Sequence, residues 1–503
     1  MEKQESMEKI NLQKSGCSHC MAHCDKNSFW GQRTDLNDES EYFLNGKINE
    51  ECGVFGVYNV SEAASLSYFG LHALQHRGQE AAGIAASDGE KITCIKDKGL
   101  ITEVFDNKTI NKLGGIHAVG HVRYSSDGSN EIENVQPIMV RAHTGHFAAV
   151  HNGQIVNAAE LKETLENQGS IFQGSSDSEI LLHLIQKESG TFVYKIMKAC
   201  QKMEGAFAFI IMTKDCMYAV RDKFGLRPLS FAKLGDGYCI SSETCAFDIV
   251  GAEFIRDVEP GEVIRIANDG VKTFHYSDEV QHKMCAMEYI YFARPDSNID
   301  GVNVHTSRRM AGKILAENDN VNADIVIGVP DSSLSAAIGY SEASGLPYEI
   351  GLIKNRYVGR TFIQPTQKQR ERGVRMKLSA ISSIVSGKRV VMVDDSIVRG
   401  TTSRRIVQLL KDAGATEVHV RIASAPLKHP CFYGVDTSTY EELISDRMNV
   451  DELAKYINAD SLMFMTVDQM FQAMPAQDLC VSCFTGEYPT KLYSFDEVVK
   501  KNK

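Results

Sequence analysis

The stretch VMVDDSIVRGTT, residues 391–402, runs from a hydrophobic strand into a polar loop and then into the start of a helix. Asp394 and Asp395 end the strand, where two carboxylates can bind ribose hydroxyls or a divalent cation. The loop contains Gly400 and hydroxyl residues, and the backbone N–H groups of a helix N-terminus favour phosphate. On its own, the Asp-Asp pair also fits a helix cap and a turn. The whole stretch favours a phosphate-binding strand–loop–helix unit.

The sequence on either side repeats this strand–helix order. Residues 323–330 form a continuous apolar run that predicts a strand, and a helix is expected through residues 335–344. Residues 389–393 predict the next strand, followed by a helix over about 402–413 and a third strand over 417–423. This spacing indicates right-handed βαβ units in a parallel sheet, whose ligands bind beyond the carboxyl ends of the strands.

The part of the chain before about residue 280 has a different pattern. Residues 52–58 alternate as a half-buried strand, a helix is expected over 63–77, and many short strands follow. Many short strands with few helices between them favour stacked antiparallel sheets.

Composition limits the classes of function. The chain has 503 residues and a net charge of −11, which argues against nucleic acid as a partner. No apolar run approaches the roughly 18 residues that cross a bilayer, so we expect a cytoplasmic protein with no membrane partner. Thirteen cysteines in a long chain without a secretory signal predict metal-binding, catalytic or simply buried roles rather than disulfides.

Residues 1–51 are polar and poor in branched apolar side chains, which predicts a leader that is removed from the mature protein. Within it, Cys17, Cys20 and Cys24 form a CxxCxxxC cluster that can hold a metal. Incidental cysteines in a flexible leader are the alternative, because a mobile segment rarely preorganises a metal site.

Cys52 opens the first predicted strand directly after this leader. Cleavage of the Glu51–Cys52 bond would free an α-amine with a pKa of about 8, which could act as a base for its own thiol. Acyl transfer also needs oxyanion donors and groups that hold the charged ends of the substrate. Four polar strings at strand ends are candidates: QHRGQE at 75–80, GHVRYS at 120–125, HNG at 151–153 and SDSE at 176–179. Each is weak alone, since Asn-Gly is also a hairpin turn and SDSE a capping box.

Together and in this order, the four strings resemble the N-terminal-nucleophile (class II) glutamine amidotransferases. Residues 391–402 resemble the phosphoribosyl-diphosphate signature of the type I phosphoribosyltransferases. The first resemblance implies that Cys52 is the nucleophile and that Asn152 and Gly153 form the oxyanion hole. The glutamine-binding residues that it implies are Arg77, Gly78, Arg123 and Asp177.

The second resemblance extends to two more segments. Residues 329–333 resemble the loop that accompanies the diphosphate, with Ser332 beside magnesium, although Pro-Asp-Ser also starts ordinary helices. The basic stretch through residues 356–377 resembles the mobile lid of this family, although it could also be a solvated surface loop. The magnesium ligands implied are Ser332, Asp394 and Asp395. The implied phosphoribosyl-diphosphate ligands are Arg356, Arg360, Asp394, Asp395, Ser396, Arg399, Gly400, Thr401 and Thr402.

One family joins these two halves in this order, the glutamine phosphoribosylpyrophosphate amidotransferases, and the resemblance runs from about residue 49 to 489. It implies an αββα antiparallel-sheet sandwich followed by a Rossmann-like parallel-sheet domain. It also implies synthesis of 5-phosphoribosylamine from glutamine, water and 5-phosphoribosyl diphosphate, the first committed step of purine (IMP) biosynthesis. One Mg²⁺ per subunit, feedback inhibition by purine nucleotides and a homotetramer are further implications. The leader is longer here than is usual in the family, which leaves its processing open.

Cys480 and Cys483 form a CxxC pair that by itself fits a redox site or a zinc site equally well. An iron–sulfur cube needs four thiolates. Cys285 lies at the junction of the halves and Cys431 follows the last βαβ strand, and both settings resemble those of the iron–sulfur branch of the family. The resemblance implies a structural [4Fe–4S] cluster on these four residues. Buried free cysteines, or zinc on the same sulfurs, are the alternatives.

The expected boundaries are a leader at 1–51, a glutamine amidotransferase domain at 52–284, a phosphoribosyltransferase domain at 285–470 and a C-terminal tail at 471–503. Three other functions compete. A glutamine-dependent sugar aminotransferase would need a sugar-isomerase-type domain in place of the second half. A nucleobase phosphoribosyltransferase would leave the glutaminase residues idle, and a non-enzymatic sensor would not need an intact nucleophile set around Cys52.

Overall fold

The computed structural model describes residues 52–124, 131–142, 145–355, 378–437, 439–475 and 478–500. The leader with its three cysteines and the basic stretch with Arg356 and Arg360 lie outside the described residues, so the predictions for them stay predictions. In the described part of the chain, no helix is long and apolar enough to cross a membrane.

The first half contains two antiparallel sheets. Its strands are β1 (Gly53–Tyr58), β2 (Ala81–Ser87), β3 (Ile92–Lys98), β4 (His117–Arg123), β5 (Ile138–Ala142), β6 (Gly145–Ile155), β7 (Gly205–Thr213), β8 (Cys216–Arg221), β9 (Ser230–Leu234), β10 (Gly237–Ser241), β11 (Glu253–Asp257), β12 (Glu262–Ala267) and β13 (Gly270–His275). One sheet has the strand order β11-β9-β10-β1-β4-β2-β3 and the other β13-β12-β8-β7-β6-β5. Each neighbouring pair of strands in both sheets is antiparallel.

Helices cover the outer faces of both sheets. They are α1 (Ala63–Ala73), α2 (Ile101–Val104), α3 (Asn107–Asn111), α4 (Ala158–Asn167), α5 (Ser178–Lys187), α6 (Phe192–Cys200) and α7 (Cys245–Val250). Val54 and Tyr58 of β1 face the core between the sheets, whereas Phe55 and Val57 face the core beneath α1, because successive side chains of a strand alternate. The αββα sandwich is confirmed.

Two local expectations were wrong. β1 is buried on both faces rather than half-buried, because it lies inside a seven-stranded sheet with a second sheet on one side and α1 on the other. The first helix ends at Ala73 instead of reaching Arg77, and a separate 3-10 turn spans Gln75–Arg77. That break turns the chain toward the start of β1.

The second half contains a parallel sheet. The strands of the second half are β14 (Met284–Cys285), β15 (Asn298–Ile299), β16 (Val302–Asn303), β17 (Ile325–Gly328), β18 (Leu352–Lys354), β19 (Leu378–Ala380), β20 (Arg389–Asp394), β21 (Glu417–Ile422), β22 (Ser461–Phe464) and β23 (Leu479–Cys480). Its helices are α8 (Val304–Glu317), α9 (Leu334–Ser344), α10 (Ser382–Val385), α11 (Thr401–Asp412), α12 (Ile444–Arg447), α13 (Val450–Tyr456), α14 (Val467–Ala473), α15 (Ser482–Thr485) and α16 (Asp496–Lys500). The sheet order is β17-β20-β21-β22, and all three pairs are parallel as predicted.

Both faces of this sheet are covered. Val391 and Val393 of β20 pack in the core with α8 and α9, whereas Val390 and Met392 pack in the core with α11. A strand buried on both faces needs apolar residues at every position, which explains the continuous hydrophobic run in the sequence.

Among the described residues, contacts at several points join the halves. The β15–β16 hairpin carries Asp300 at its tip, and both carboxylate oxygens accept hydrogen bonds of 3.2 Å from the buried Arg221 guanidinium of β8. Farther along, β14 pairs in parallel with β23, which sets Cys285 opposite Cys480 and returns the C-terminal segment to the junction.

Candidate active site

Cys52 lies immediately before β1 and is half-buried. Its Sγ donates a weak hydrogen bond of 3.5 Å to the carbonyl of Tyr124, the residue after β4. Its own carbonyl accepts a 3.1 Å hydrogen bond from Nε of Arg77. The thiol and the backbone of Cys52 are therefore held from two sides, as a fixed nucleophile requires.

Arg77 is fully buried behind Cys52. Besides its bond to the Cys52 carbonyl, the guanidinium donates to Glu243 at 2.6 Å and to both oxygens of Glu288 at 2.7 and 2.9 Å. These two carboxylates compensate the buried positive charge. The guanidinium thus holds the backbone of Cys52, while the roles of Cys52 as nucleophile and of Arg77 as a glutamine ligand stay predictions.

Gly78 lets the turn after Arg77 approach the end of β4. A Cβ at this position would lie 2.6 Å from the backbone of Arg123 and 2.7 Å from the carbonyl of Val122, so only glycine fits. Arg123 itself is largely buried at the last position of β4, and its carbonyl accepts the N–H of Glu80 at 3.0 Å.

The predicted oxyanion pair lies on β6. The side-chain nitrogen of Asn152 is buried and has no hydrogen-bond partner within the described ranges, which leaves an amide donor ready for an oxyanion. Gly153 has a φ of 135°, and a Cβ there would approach the Ala206 carbonyl to 2.1 Å. His121, which lies opposite Val54 in the β1–β4 pair, contacts the His151 carbonyl at 3.1 Å. The strand of Asn152 therefore crosses close to the start of β1.

Asp177 precedes α5 and is tied to the end of β6, because its Oδ2 accepts the N–H of Ile155 at 2.8 Å. Behind it runs a buried polar network. The side-chain Oε1 of Gln136 accepts the N–H of His151 at 2.6 Å, its Nε2 donates to the Ser178 hydroxyl at 3.2 Å, and His151 Nδ1 lies 2.8 Å from that hydroxyl. This network fixes β6, the strand of Asn152 and Gly153, relative to the loop that contains Asp177.

In the second half, the loop after β17 meets the carboxylates that end β20. Ser332 donates a short hydrogen bond to Asp395, Ser333 donates to Asp394 at 3.0 Å, and Ser396 donates to Asp395 at 2.7 Å. Both carboxylates are buried. The structure thus brings together Ser332, Asp394 and Asp395 as predicted, and this set of hydroxyl and carboxylate oxygens suits Mg²⁺.

The loop before α11 carries Gly400, Thr401 and Thr402, for which phosphate binding is predicted. Gly400 is the helix N-cap with a φ of 73°, and Thr401 and Thr402 supply the first helical N–H groups and hydroxyls. Arg399 donates to Glu442, so its guanidinium is already engaged by an acidic partner.

The four predicted cluster cysteines line one cavity. Cys285, Cys431, Cys480 and Cys483 line it together with Arg227 and mostly apolar residues, and none of the four is in a disulfide. Burial raises the pKa of Cys431 to about 11 and that of Cys483 well above the ordinary thiol value, with the neighbouring sulfurs adding to both shifts. Among the described residues, no group of three or more His, Cys, Asp or Glu side chains is close enough to hold a single metal ion.

Comparison with known proteins agrees with both halves. Residues 121–248 match the glutamine amidotransferase domain family, and residues 303–429 match the phosphoribosyl transferase domain family. An amidophosphoribosyltransferase of Bacillus subtilis (strain 168) is 57% identical over 455 residues, which cover 89% of this chain and 95% of that protein. The chain belongs to the amidophosphoribosyltransferase family. A family member from Staphylococcus aureus (strain Mu50) is 50% identical over 458 residues, 89% of this chain and 93% of that protein.

Two solved structures share the whole fold. A glutamine phosphoribosylpyrophosphate amidotransferase from B. subtilis, complexed with ADP and GMP, superposes with a TM-score of 0.85 at 56% identity and covers 88% of this chain and 98% of its own. A second structure, described as the allosteric regulatory enzyme of purine biosynthesis, superposes with a TM-score of 0.86 at 56% identity and covers 90% of this chain and 99% of its own. The predicted fold, family and enzyme class, a glutamine-dependent pentosyltransferase of the first step of purine biosynthesis, are confirmed.

Sequence reasoning missed the residues that support the amidophosphoribosyltransferase site. Gln136 has partners 15 and 42 residues away, and Glu288 contacts Arg77 across 211 residues. Neither residue lies in a recognisable local pattern. Only the coincidence of a buried Arg with two distant glutamates would have identified Glu288, and that coincidence exists only after folding.

Two buried histidines, His121 on β4 and His151 on β6, make the stability of the protein depend on pH. Burial lowers the pKa of His121 and His151 to about 3, below the value of about 6.5 in an unfolded chain. Between these values the unfolded state binds more protons, so stability must fall as pH falls from about 6.5 toward 3. Between pH 7 and pH 5, the free energy of unfolding of His151→Gln should fall by roughly 2 kcal/mol less than that of the parent. The measurement is the fall in Tm of each protein over the same pH interval.

The exposed His72 on α1 provides the matched control. His72→Gln should show the same loss of Tm between pH 7 and pH 5 as the parent. An equal loss in His151→Gln would mean that this imidazole is not excluded from protonation by the fold.

Proposed function

We propose that the chain moves the amide nitrogen of glutamine to 5-phosphoribosyl diphosphate, releasing glutamate and diphosphate and forming 5-phosphoribosylamine. The observation that carries this proposal is the unpartnered Asn152 amide beside the strand that Cys52 opens, in one chain with the Ser332–Asp394–Asp395 set. The first arrangement suits acyl transfer from an amide, and the second suits a ribose diphosphate with a divalent cation.

The glutaminase half-reaction begins at the Cys52 thiol. After removal of the leader, the free α-amine takes the thiol proton, and Sγ attacks the side-chain amide carbon of glutamine. The developing oxyanion accepts hydrogen bonds from the Asn152 amide and the Gly153 N–H. The proton passes to the leaving nitrogen, ammonia departs and a thioester remains, which water hydrolyses to glutamate. Arg123 and Asp177 pair with the α-carboxylate and α-amine of the substrate.

The phosphoribosyl half-reaction uses the loop edge of the parallel sheet. The N–H groups and hydroxyls at the start of α11, from Gly400 to Thr402, bind the 5-phosphate, and Asp394 and Asp395 bind the ribose hydroxyls. The Asp carboxylates with Ser332 would hold one Mg²⁺, which neutralises charge on the diphosphate. Ammonia then attacks C1 of the ribose as the C1–O bond to diphosphate breaks, and Arg356, Arg360, Ser396 and Arg399 complete the set of proposed ligands.

The four cysteines are proposed to hold a [4Fe–4S] cluster. They line one cavity beside the β14–β23 pair, where both domains and the C-terminal segment meet. Burial raises the pKa of the Cys431, Cys480 and Cys483 thiols, so these groups become thiolates only when a cationic centre compensates them. One zinc ion on the same sulfurs, the alternative, would need all four within about 2.3 Å of it. A cube spreads the same four ligands farther apart.

Regulation and assembly are proposed by analogy with the family. The B. subtilis structure contains ADP and GMP, which supports feedback inhibition of this chain by purine nucleotides. A homotetramer, a cytoplasmic location and the domain limits 52–284, 285–470 and 471–503 are part of the same proposal.

Cys52→Ala should reduce glutamine-dependent synthesis by about 10³-fold or more, because no other group supplies the nucleophile. Synthesis from ammonia should persist, since the phosphoribosyl site is separate. Cys216→Ala, which alters another half-buried cysteine at a strand start, is the matched control and should retain both activities. Intact-mass analysis should show that the fully active parent begins at Cys52; a fully active chain that starts elsewhere would contradict the assignment.

Asp394→Asn should reduce kcat/KM for 5-phosphoribosyl diphosphate by about 10- to 100-fold, the size of a lost charge-assisted hydrogen bond. Basal glutamine hydrolysis should change little. Asp412→Asn alters the exposed carboxylate at the end of α11 and should leave both activities intact. Parallel loss of both activities in Asp394→Asn would indicate misfolding instead of a ligand role.

Protein purified without oxygen should be brown, with about four irons per chain. Cys483→Ser should lose the visible absorption and the iron, whereas Cys200→Ala, a buried cysteine outside the cavity, should keep both. Colourless, fully active protein with stoichiometric zinc would rule out the cluster.

A further inference from the structure

Four consecutive backbone N–H groups in the loop before Asp177 donate to only two side chains. Those of residues 173–174 donate to the Glu179 carboxylate at 3.0 and 3.1 Å, and those of residues 175–176 donate to the side-chain Oδ1 of Asn134 at 2.9 and 3.0 Å. Surface loops are ordinarily the more mobile parts of a protein. The four bonds in succession therefore fix the course of the backbone up to Asp177.

Asn134 reaches this loop from a distant part of the sequence. It ends the 3-10 turn Ile132–Asn134, and only 1% of its surface is exposed. It uses both ends of its amide on the loop, because its Nδ2 also donates to the Ser175 hydroxyl at 2.9 Å. Gly174 permits the close approach, since a Cβ there would lie 2.3 Å from Asn134 Oδ1. Asn134 thus supports the half of the loop nearest Asp177.

The segment that carries Asn134 is itself held by two strands. Lys96 of β3 donates to the carbonyl of Val135, and the Gln136 side chain accepts the N–H of His151 on β6 at 2.6 Å. Strands inside a sheet are among the last parts of a domain to open, and β6 lies between β7 and β5. Asn134 therefore holds the loop at a set position relative to β6, the strand of the proposed oxyanion residues.

Glu179 provides the other support. It is buried on α5, where His183 Nε2, one turn later, contacts its carboxylate at 3.2 Å. Burial opposes its ionisation, but hydrogen bonds from His183 and from the N–H groups of Gln173 and Gly174 lower the pKa of Glu179. The carboxylate is therefore charged at neutral pH and accepts the stronger, charge-assisted kind of hydrogen bond.

Asp177 is the residue for which this rigidity matters. Its carboxylate is the proposed partner of the substrate α-amine, and its Oδ2 accepts the N–H of Ile155 at 2.8 Å. Arg123, the proposed partner of the α-carboxylate, ends β4, and Asn134 lies in the stretch of chain between β4 and β5. Misplacing one such partner by about 1 Å is enough to weaken catalysis strongly.

We propose that Asn134 is a positioning residue of the glutamine site, which sets the 173–176 loop so that the Asp177 carboxylate meets the α-amine of the substrate. The inference rests on the proposed function for that pairing. It requires that Asn134 act on recognition of the amino-acid end of glutamine and not on the reactivity of the Cys52 thiol.

The test compares Asn134→Ala, Asn134→Ser and Asn134→Asp with the control Asn157→Ala, each in the full chain. Asn157 is also a buried asparagine of the first half, and its amide likewise binds distant backbone groups, the carbonyl of Lys202 and the N–H of Glu204, each at 2.9 Å. The control therefore reports the general effect of deleting such a side chain.

Two readouts separate recognition of glutamine from thiol chemistry. One is kcat and KM for glutamate release from glutamine, measured together with Tm and with synthesis from ammonia. The other is the rate at which two reagents alkylate Cys52, followed by mass spectrometry of the Cys52 peptide. The first reagent, 6-diazo-5-oxo-L-norleucine, has the α-amine and α-carboxylate of glutamine, whereas the second, iodoacetamide, has neither.

Asn134→Ala and Asn134→Ser should lower kcat/KM for glutamine by at least about tenfold, mainly through KM, because a misplaced Asp177 binds the α-amine less well. Alkylation by the diazo reagent should slow by a similar factor. Alkylation by iodoacetamide and synthesis from ammonia should stay within about twofold of the parent. Asn134→Asp keeps an oxygen acceptor for the two N–H groups and should recover most of the loss. Asn157→Ala should change the two alkylation rates equally, if at all.

A double-mutant cycle with Asp177→Ala identifies the route of the effect. Because Asn134 acts through Asp177, Asn134→Ala should cost little more once the Asp177 carboxylate has been removed. The two losses in kcat/KM for glutamine should therefore be far from additive.

A kcat/KM for glutamine in Asn134→Ala equal to that of the parent would overturn the proposal. Equal slowing of both alkylating reagents, or additive losses in the cycle, would also overturn it, because either result gives Asn134 a structural role without a link to Asp177. If Asn134→Ala does not fold, Asn134→Ser decides by the same criteria. Absence of glutamate release from glutamine in the parent would instead refute the proposed function, so the two failures are distinguishable.

Discussion

The contact between Arg77 and the carboxylates of Glu243 and Glu288 lies entirely out of water at the point where the two halves meet. Removing one partner of a buried ion pair costs about 3–5 kcal/mol, because the remaining charge is left uncompensated. Glu243 comes from the antiparallel half, and Glu288 begins the segment that leads into the parallel half. Cys52, whose carbonyl accepts a hydrogen bond from Arg77, is therefore positioned by residues from both sides of the junction.

Local sequence patterns predicted the structure well where the residues of a candidate site are neighbours in the sequence. The strand β20, its terminal Asp394 and Asp395 and the start of α11 form one continuous unit, so apolar runs and turn residues predicted it nearly to the residue. Resemblance to the family selected Ser332, and its contact with Asp395 has a topological reason, because the neighbouring parallel strands β17 and β20 end at the same edge of the sheet. The same reasoning could not find the end of α1, where the chain leaves helical geometry to bring Arg77 beneath Cys52.

Residues whose role depends on long-range contacts were missed. Gln136 binds the backbone N–H of His151 and Glu288 binds the Arg77 guanidinium, both distant in sequence, and neither residue carries a local signature. The cysteines are an intermediate case. The CxxC of Cys480 and Cys483 is visible in the sequence, but resemblance to a family was needed to select Cys285 and Cys431 from the other cysteines, and the fold gathers all four around one cavity.

The short parallel pair of β14 and β23 also governs the order of events during synthesis. Cys285 leaves the ribosome roughly 200 residues before Cys483, an interval of about 10–40 s at ordinary rates of translation. During that time the first half can fold, but its cavity has only part of its wall, since Cys480 and Cys483 arrive with β23 and the residues after it. Completion of the cavity is thus a late step, and a nascent chain truncated before β23 would expose its unfinished junction to solvent.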